Sequence, residues 1–216
     1  MRQPTWTVVV PVKRLGAAKS RLRGALPVVP HEELALALVA DTVRAVRACA
    51  AVAEVLVVTD DPAVAATAAA AGARVVPDAP DAGLNAAFRH GARLATAAGA
   101  GVRVAGLTAD LPALRPTELA AALHAATAGP GVRRFVADAP GTGTVLLAAP
   151  PGVPLDPRFG VGSAAAHRAS GALPLTGDWP TLRRDVDTAA DLAAAARLGL
   201  GPRTAALAGQ PAGRPG

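Results

Sequence analysis

Four cations and a glycine fall within nine residues in Lys13-Arg14-Leu15-Gly16-Ala17-Ala18-Lys19-Ser20-Arg21. A polyphosphate calls for this set. Lysine supplies a compact point charge, arginine a fork of donors, and glycine leaves backbone N–H groups accessible. The ending Gly-Ala-Ala-Lys-Ser looks like the tail of a Walker A loop, but it lacks the glycine directly before the lysine and the four-residue spacer. A P-loop is therefore excluded. The plain alternative is a solvated basic loop, as most charge runs are.

Carboxylates form the second group. Asp110, in Leu107-Thr108-Ala109-Asp110-Leu111-Pro112, closes an apolar run. A carboxylate at a strand end suits Mg²⁺, which is commonly bound through one or two carboxylates plus substrate phosphates. Asp-x-Pro also opens turns, so a turn or cap role stands beside the metal role. In Asp185-Val186-Asp187-Thr188, the two aspartates would share one face of an extended segment and could share a metal. Asp187 or Thr188 can equally cap the next helix, with Asp191 favourable in its first turn.

Two glycine motifs complete the inventory. Gly160-Val161-Gly162-Ser163-Ala164-Ala165 fits a G-x-G-x-x-A pattern but follows Pro157-Arg158-Phe159 rather than a strand, so a dinucleotide fold is not implied. As a loop entering a helix it would still receive an anion. Gly141-Thr142-Gly143-Thr144 is either a hairpin turn or an oxyanion cradle. His167, four residues after Ser163, would share its helix face, whereas His31, His90 and His124 read as surface or packing residues. No nucleophile-plus-base pair stands out, which favours direct displacement.

The elements that must position these residues alternate. Thr7 to Val12 is a continuous apolar run, as a strand buried on both faces requires. A helix over 31–50 follows, then a strand over 55–59, a helix over 63–71, a strand over 74–76 and a helix over 84–98. Next come a strand over 102–108, a helix over 116–128, strands over 134–137 and 144–148, and helices over 163–170 and 188–198. This alternation predicts an α/β fold: a mostly parallel sheet covered on both faces, with ligands beyond the carboxyl ends of its strands. We expect one catalytic domain over 1–198 and a flexible Gly/Pro/Ala-rich tail over 199–216.

Composition narrows the function. At 216 residues and 51% hydrophobic content the chain is no disordered polymer. Cys49 has no partner, so a disulfide scaffold is excluded. The net charge of +6 invites nucleic acid. However, the arginines are dispersed and stacking aromatics are scarce, so a small polyanion fits better than a polymer. No run of about 18 apolar residues is present to span a membrane, and no export signal leads the chain; a cytoplasmic location is expected, as a monomer or homodimer. Lys13 and Lys19 are the only lysines among 22 basic residues, and Asn85 is the only asparagine. In a chain biased to Ala, Gly, Pro and Arg, such survivors hint that their side-chain types matter.

Together the motifs resemble a known family. They are Val-Pro-Val-Lys-x-Leu-x-x-Ala-Lys-Ser-Arg-Leu, Val-Val-Thr-Asp-Asp, Gly-Leu-Asn-x-Ala, Ala-Asp-Leu-Pro-Ala-Leu, Ala-Asp-x-x-Gly-Thr-Gly-Thr, Phe-Gly-x-x-Ser-x-x-x-His and Asp-Val-Asp-Thr, in order from Val8 to Leu198. The chain resembles the phosphoenolpyruvate/2-phospho-L-lactate guanylyltransferases of coenzyme F-420 biosynthesis, actinobacterial type. The resemblance implies a nucleotide-diphospho-sugar transferase-like three-layer αβα sandwich, and transfer of GMP from GTP to a phosphorylated three-carbon acid. The acceptor implied is phosphoenolpyruvate, with 2-phospho-L-lactate the alternative and a non-catalytic nucleotide-binding regulator the rival from another class. By position, Lys13, Arg14, Lys19 and Arg21 would embrace the GTP phosphates. Gly83, Leu84 and Asn85 would lie at the guanine, with Thr59 and Asp60 nearby. Asp110 and Asp187 would bind Mg²⁺, two ions in all, with Asp185 a third ligand. Thr144, Gly160 and Ser163 would hold the acceptor, with Thr142 competing for the place of Thr144. One departure is Leu-Thr-Ala before Asp110, where relatives commonly have a proline.

Overall fold

The computed structural model describes residues 6–17, 22–26, 28–79, 81–97, 99 and 101–209. Seven strands form one mixed sheet: β1 (Trp6–Pro11), β2 (Val52–Val58), β3 (Arg74–Val76), β4 (Arg103–Leu107), β5 (Arg134–Ala137), β6 (Thr144–Ala149) and β7 (Leu173–Pro174). Their order is β3-β2-β1-β4-β6-β5-β7. The β3, β2, β1 and β4 strands run parallel, and β6 runs antiparallel to both β4 and β5. The reversal matters for the site. Because β6 starts where the parallel strands end, the turn between β5 and β6 joins the loops that leave β1, β2 and β4.

The central strands β1, β2, β4 and β6 divide their side chains between two cores, as the period-2 geometry of a two-faced sheet demands. Val8 and Val10 of β1, Val55 and Val57 of β2, and Leu146 and Ala148 of β6 face one side. There they meet α1 (His31–Ala48), α2 (Pro62–Ala70) and α4 (Pro116–Ala125). Val9, Leu56, Val58, Leu147 and Ala149 face the other, against α3 (Leu84–Thr96) and α5 (Ser163–Ala169). The sheet covered on both faces that the alternation predicts, and the three-layer αβα sandwich that the resemblance implies, are the architecture observed.

The structure adds short elements that periodicity could not register. These are β7, α6 (Pro180–Arg183) and α8 (Pro202–Leu207), which follows α7 (Ala189–Leu198). The last corrects the expectation of a flexible tail from Gly199. Leu200, Thr204 and Ala205 are buried; Leu200 and Ala205 join a cluster with Leu34, Leu38, Val186 and Leu192. Six residues are too few for an amphipathic pattern, and the capping group comes from elsewhere. Asp41, on α1, is 2% exposed and accepts the backbone N–H of Arg203 (3.2 Å) and Thr204 (2.8 Å). Gly201 makes that approach possible, because a Cβ there would overlap the Asp41 carboxylate. Residues 210–216 lie outside the described residues.

Replacing Asp41 with alanine removes the acceptor for two amides at the start of α8. Loss of such a cap costs about 1–2 kcal/mol. We expect urea unfolding to report a loss of that size, with faster hydrogen exchange at the Arg203 and Thr204 amides. Unchanged exchange there would show that α8 is held by apolar packing alone.

Candidate active site

A cavity of about 590 Å³ opens at the carboxyl ends of β1 and β4. Among its lining residues are Lys13, Leu84, Asp110, Thr144, Gly160, Ser163, Asp185 and Asp187. Residues singled out from sequence and separated by up to 174 positions, Thr142 included, thus line one cavity. Arg14, Thr59, Asp60, Gly83 and Asn85 are not among the lining residues. Lys19 and Arg21 lie outside the described residues.

The loops meeting here are tied together by side chains that bond to one another's backbones. After β1 the chain turns through a 3-10 segment, Leu15–Ala17. Asp61 anchors it by accepting the Leu15 N–H (3.0 Å) on one oxygen. The other oxygen caps α2 through Ala63 and Val64. Burial works against the charge of Asp61, but the amides of Leu15, Val64 and Ala63 outweigh it and hold its pKa below the usual carboxylate value. Thr59 and Asp60 brace the same corner: Thr59 Oγ1 accepts the Asp61 N–H, and Asp60 accepts that of Asp78.

The carboxylate wall has its own supports. Thr42 Oγ1 on α1 accepts the Leu111 N–H at 2.9 Å, and the Asp110 carbonyl accepts the Val186 N–H at 3.0 Å. With Val186 fully buried, its neighbours Asp185 and Asp187 both turn to the cavity, as an extended segment dictates. Thr188 and Asp191 form a capping box on α7, so the capping role foreseen for this segment falls to Thr188 and coexists with a cavity-facing Asp187. Among the described residues, no group of three or more His, Cys, Asp or Glu is already gathered in a way that could hold a metal ion. Asp110, Asp185 and Asp187 nonetheless line one cavity.

On the opposite side, Asp138 organises the turn between β5 and β6. Its two oxygens accept the N–H groups of Thr142 (2.9 Å) and Gly143 (2.8 Å). Only glycine fits at 143, since a Cβ would overlap the Asp138 carboxylate. Thr142 in turn accepts the Ala164 N–H at the start of α5. The first amides of α5 are thus already used, Ser163 N–H by Gly160 and Ala164 N–H by Thr142. What this region offers a ligand is the loop Gly160–Gly162 and the Ser163 side chain, rather than a bare helix end.

Asn85 clips that loop. Its Nδ2 donates to the Phe159 carbonyl at 2.9 Å, and its Oδ1 accepts the Phe159 N–H at 2.7 Å. An amide side chain offers a donor and an acceptor side by side on one planar group, which gives the lone asparagine a physical reason. Phe159 stacks on Phe88 with centroids 4.1 Å apart and presents its edge to His167 at 5.2 Å. Phe135 closes on the same imidazole at 5.9 Å. All three phenylalanines of the chain gather here.

His167 itself is fully buried. Burial, reinforced by the Arg133 and Arg158 guanidiniums and opposed by Asp156, pushes its pKa down to about 4. Its Nε2 accepts the Arg158 N–H and its Nδ1 meets Thr144 Oγ1, both at 2.9 Å. Asp138, Phe88, Phe159 and Thr108 line the cavity without having been singled out as site residues. The Ala-Asp-x-x-Gly-Thr-Gly-Thr and Phe-Gly-x-x-Ser-x-x-x-His motifs contained the signals for Asp138 and Phe159; nothing local marked Phe88.

With this geometry in hand, the family model described as guanylyl transferase CofC like matches residues 6–167. The chain belongs to the CofC-like family. A relative from Salinispora arenicola, called phosphoenolpyruvate guanylyltransferase, is 75% identical over 94% of each chain. One of the same name from Geodermatophilus obscurus is 57% identical over 94% of each. Among solved structures, a nucleotidyl transferase from Methanothermobacter aligns with a TM-score of 0.66. It is 22% identical and covers 90% of this chain and 97% of its own, which shows the shared fold. Among the described residues, no helix of this CofC-family chain is long and apolar enough to cross a membrane.

The lowered pKa of His167 makes a prediction. Between pH about 4 and the ordinary histidine value of 6.5, the unfolded chain binds a proton at this residue and the native chain does not. Stability must therefore rise with pH across that window. Asp61 and Asp156, also held down, act in a lower window, below 3.8. Urea unfolding at a series of pH values should show the slope, and His167→Asn should lose the part between 4 and 6.5. An identical slope in the variant would mean that other groups carry it.

Proposed function

We propose that this CofC-family protein is a phosphoenolpyruvate guanylyltransferase, using GTP in the cytoplasm and releasing pyrophosphate. A phosphate oxygen of phosphoenolpyruvate attacks the α-phosphorus of GTP. The bond from that phosphorus to the bridging oxygen of the β-phosphate breaks, and the electron pair leaves with pyrophosphate. The acceptor phosphate is already ionised near pH 7, its second pKa being about 6, so no general base is needed. The obstacle is electrostatic, because two polyanions must meet in line.

The observation that carries this reading is a single cavity lined by a strand-end cation, Lys13, three carboxylates, Asp110, Asp185 and Asp187, and the hydroxyls of Thr144 and Ser163. The names of the relatives support the same reading. In our assignment Lys13, with Lys19, Arg14 and Arg21 of the same loop, neutralises the triphosphate and the charge developing on pyrophosphate. Asp110 and Asp187, with Asp185, would hold Mg²⁺. Bound there, two such ions would supply charge neutralisation at the attacking and leaving oxygens. Leu84, at the start of α3, offers an apolar wall to the nucleotide. Gly83 lets the chain enter that helix, and Asn85 acts through the loop it clips. Thr144, Gly160 and Ser163 hold the carboxylate and phosphate of the acceptor.

Pyrophosphate release, measured with GTP, Mg²⁺ and one acid at a time, tests the assignment. Release is expected with phosphoenolpyruvate. Release only with 2-phospho-L-lactate would replace the acceptor, and none with either would leave a nucleotide binder. Asp110→Ala should cost on the order of a hundredfold or more in rate, and near-normal turnover in that variant would remove Asp110 from the site.

A further inference from the structure

The bonds around His167 determine its tautomer. A backbone N–H can only donate, and the Arg158 N–H meets Nε2 at 2.9 Å. Nε2 therefore carries no proton, and in the neutral imidazole the hydrogen must sit on Nδ1. Thr144 Oγ1, 2.9 Å from Nδ1, is then the acceptor of that hydrogen bond. A hydroxyl that accepts from histidine keeps its own hydrogen to give. Among the described residues Thr144 Oγ1 has no other partner, and Thr144, only 6% exposed, lines the cavity. The opposite tautomer would make Thr144 donate to the ring and turn its lone pairs toward the ligand, which repels an anion.

We propose that His167 is a positioning residue for the acceptor. Fixed by the Arg158 amide, it commits the Thr144 hydroxyl to donate its hydrogen to the carboxylate or phosphate of the incoming phospho-acid. The three groups form a chain of like-directed hydrogen bonds, Arg158 N–H to His167, His167 to Thr144, and Thr144 to ligand, in which each bond polarises the next. The Phe159 edge and the Phe135 ring hold the imidazole in place. The proposal rests on Thr144 being an acceptor contact, as assigned above.

Four variants and a cycle test it. Asparagine can place an N–H near the position of Nδ1, whereas leucine can place none. His167→Asn should keep the KM for phosphoenolpyruvate within about threefold, and His167→Leu should raise it about tenfold or more, with the KM for GTP little changed in both. Thr144→Val should match His167→Leu, and Thr144→Ser, which keeps the hydroxyl, should raise the KM less than Thr144→Val. The double variant Thr144→Val/His167→Leu should be no worse than Thr144→Val alone, because the two residues act through one hydrogen. Additive losses, no rescue by asparagine, or equal rises in the KM for GTP would overturn the positioning role. If the wild-type protein transfers only to 2-phospho-L-lactate, the acceptor assignment fails. The same cycle on that acid still decides this proposal, since both acids present the same anionic groups. If neither acid is used, the proposed function falls, and this inference falls with it.

Discussion

A polar side chain bonded to the backbone of a loop is the contact on which the cavity depends. Asp61 holds the turn after β1, Asp138 holds the turn before β6, Asn85 holds Phe159, and Thr42 holds the residue after Asp110. Loops carry backbone donors that neither helix nor sheet can satisfy, and burial without a partner costs each of them on the order of 1–3 kcal/mol. Side chains supply the missing partners. In doing so they remove freedom from the segments that must meet a ligand in fixed geometry, which is how a site made of loops becomes preorganised.

The two walls of the cavity are built on different physics. One presents Lys13 and three aspartates. The other is backed by an aromatic cluster around a neutral histidine. Exclusion of water from that cluster keeps His167 uncharged, and an uncharged ring with one fixed donor can orient a hydroxyl without adding charge. A protonated ring would instead face the Arg158 N–H with a second donor. Burial is the main cause of the low pKa, and the Arg158 amide sets the hydrogen-bond direction.

How much of this was legible beforehand differs by element. The apolar runs, helical spacings and glycine stops of the sheet and its main helices are local, and they predicted the layered fold. The residues Lys13, Asp110, Asp187, Thr144 and Ser163 stood out because polar groups at strand ends are rare in so apolar a chain. Asn85 stood out by scarcity, and the structure shows it clipping Phe159, a hydrogen-bond role that no spacing encodes. Phe88 went unmarked because its stacking partner Phe159 lies far away in sequence, whereas Asp138 and Phe159 sat inside motifs whose other residues drew the attention. α8 was missed because its cap comes from Asp41, 162 residues before Arg203.

The sequence by itself determined the alternating architecture, the edge of the sheet where a ligand must sit, and the kinds of charge available there. These follow from periodicity and residue chemistry, which are properties of neighbouring residues. Tertiary structure alone decided which of those residues share a cavity, which are spent on holding loops, and which tautomer His167 adopts. Each of those outcomes depends on a donor meeting an acceptor across distant segments. The high positive charge belongs to the first class, because a count of arginines needs no fold. The direction in which Thr144 offers its hydrogen belongs to the second, because it is set by a backbone amide that only folding brings to the ring.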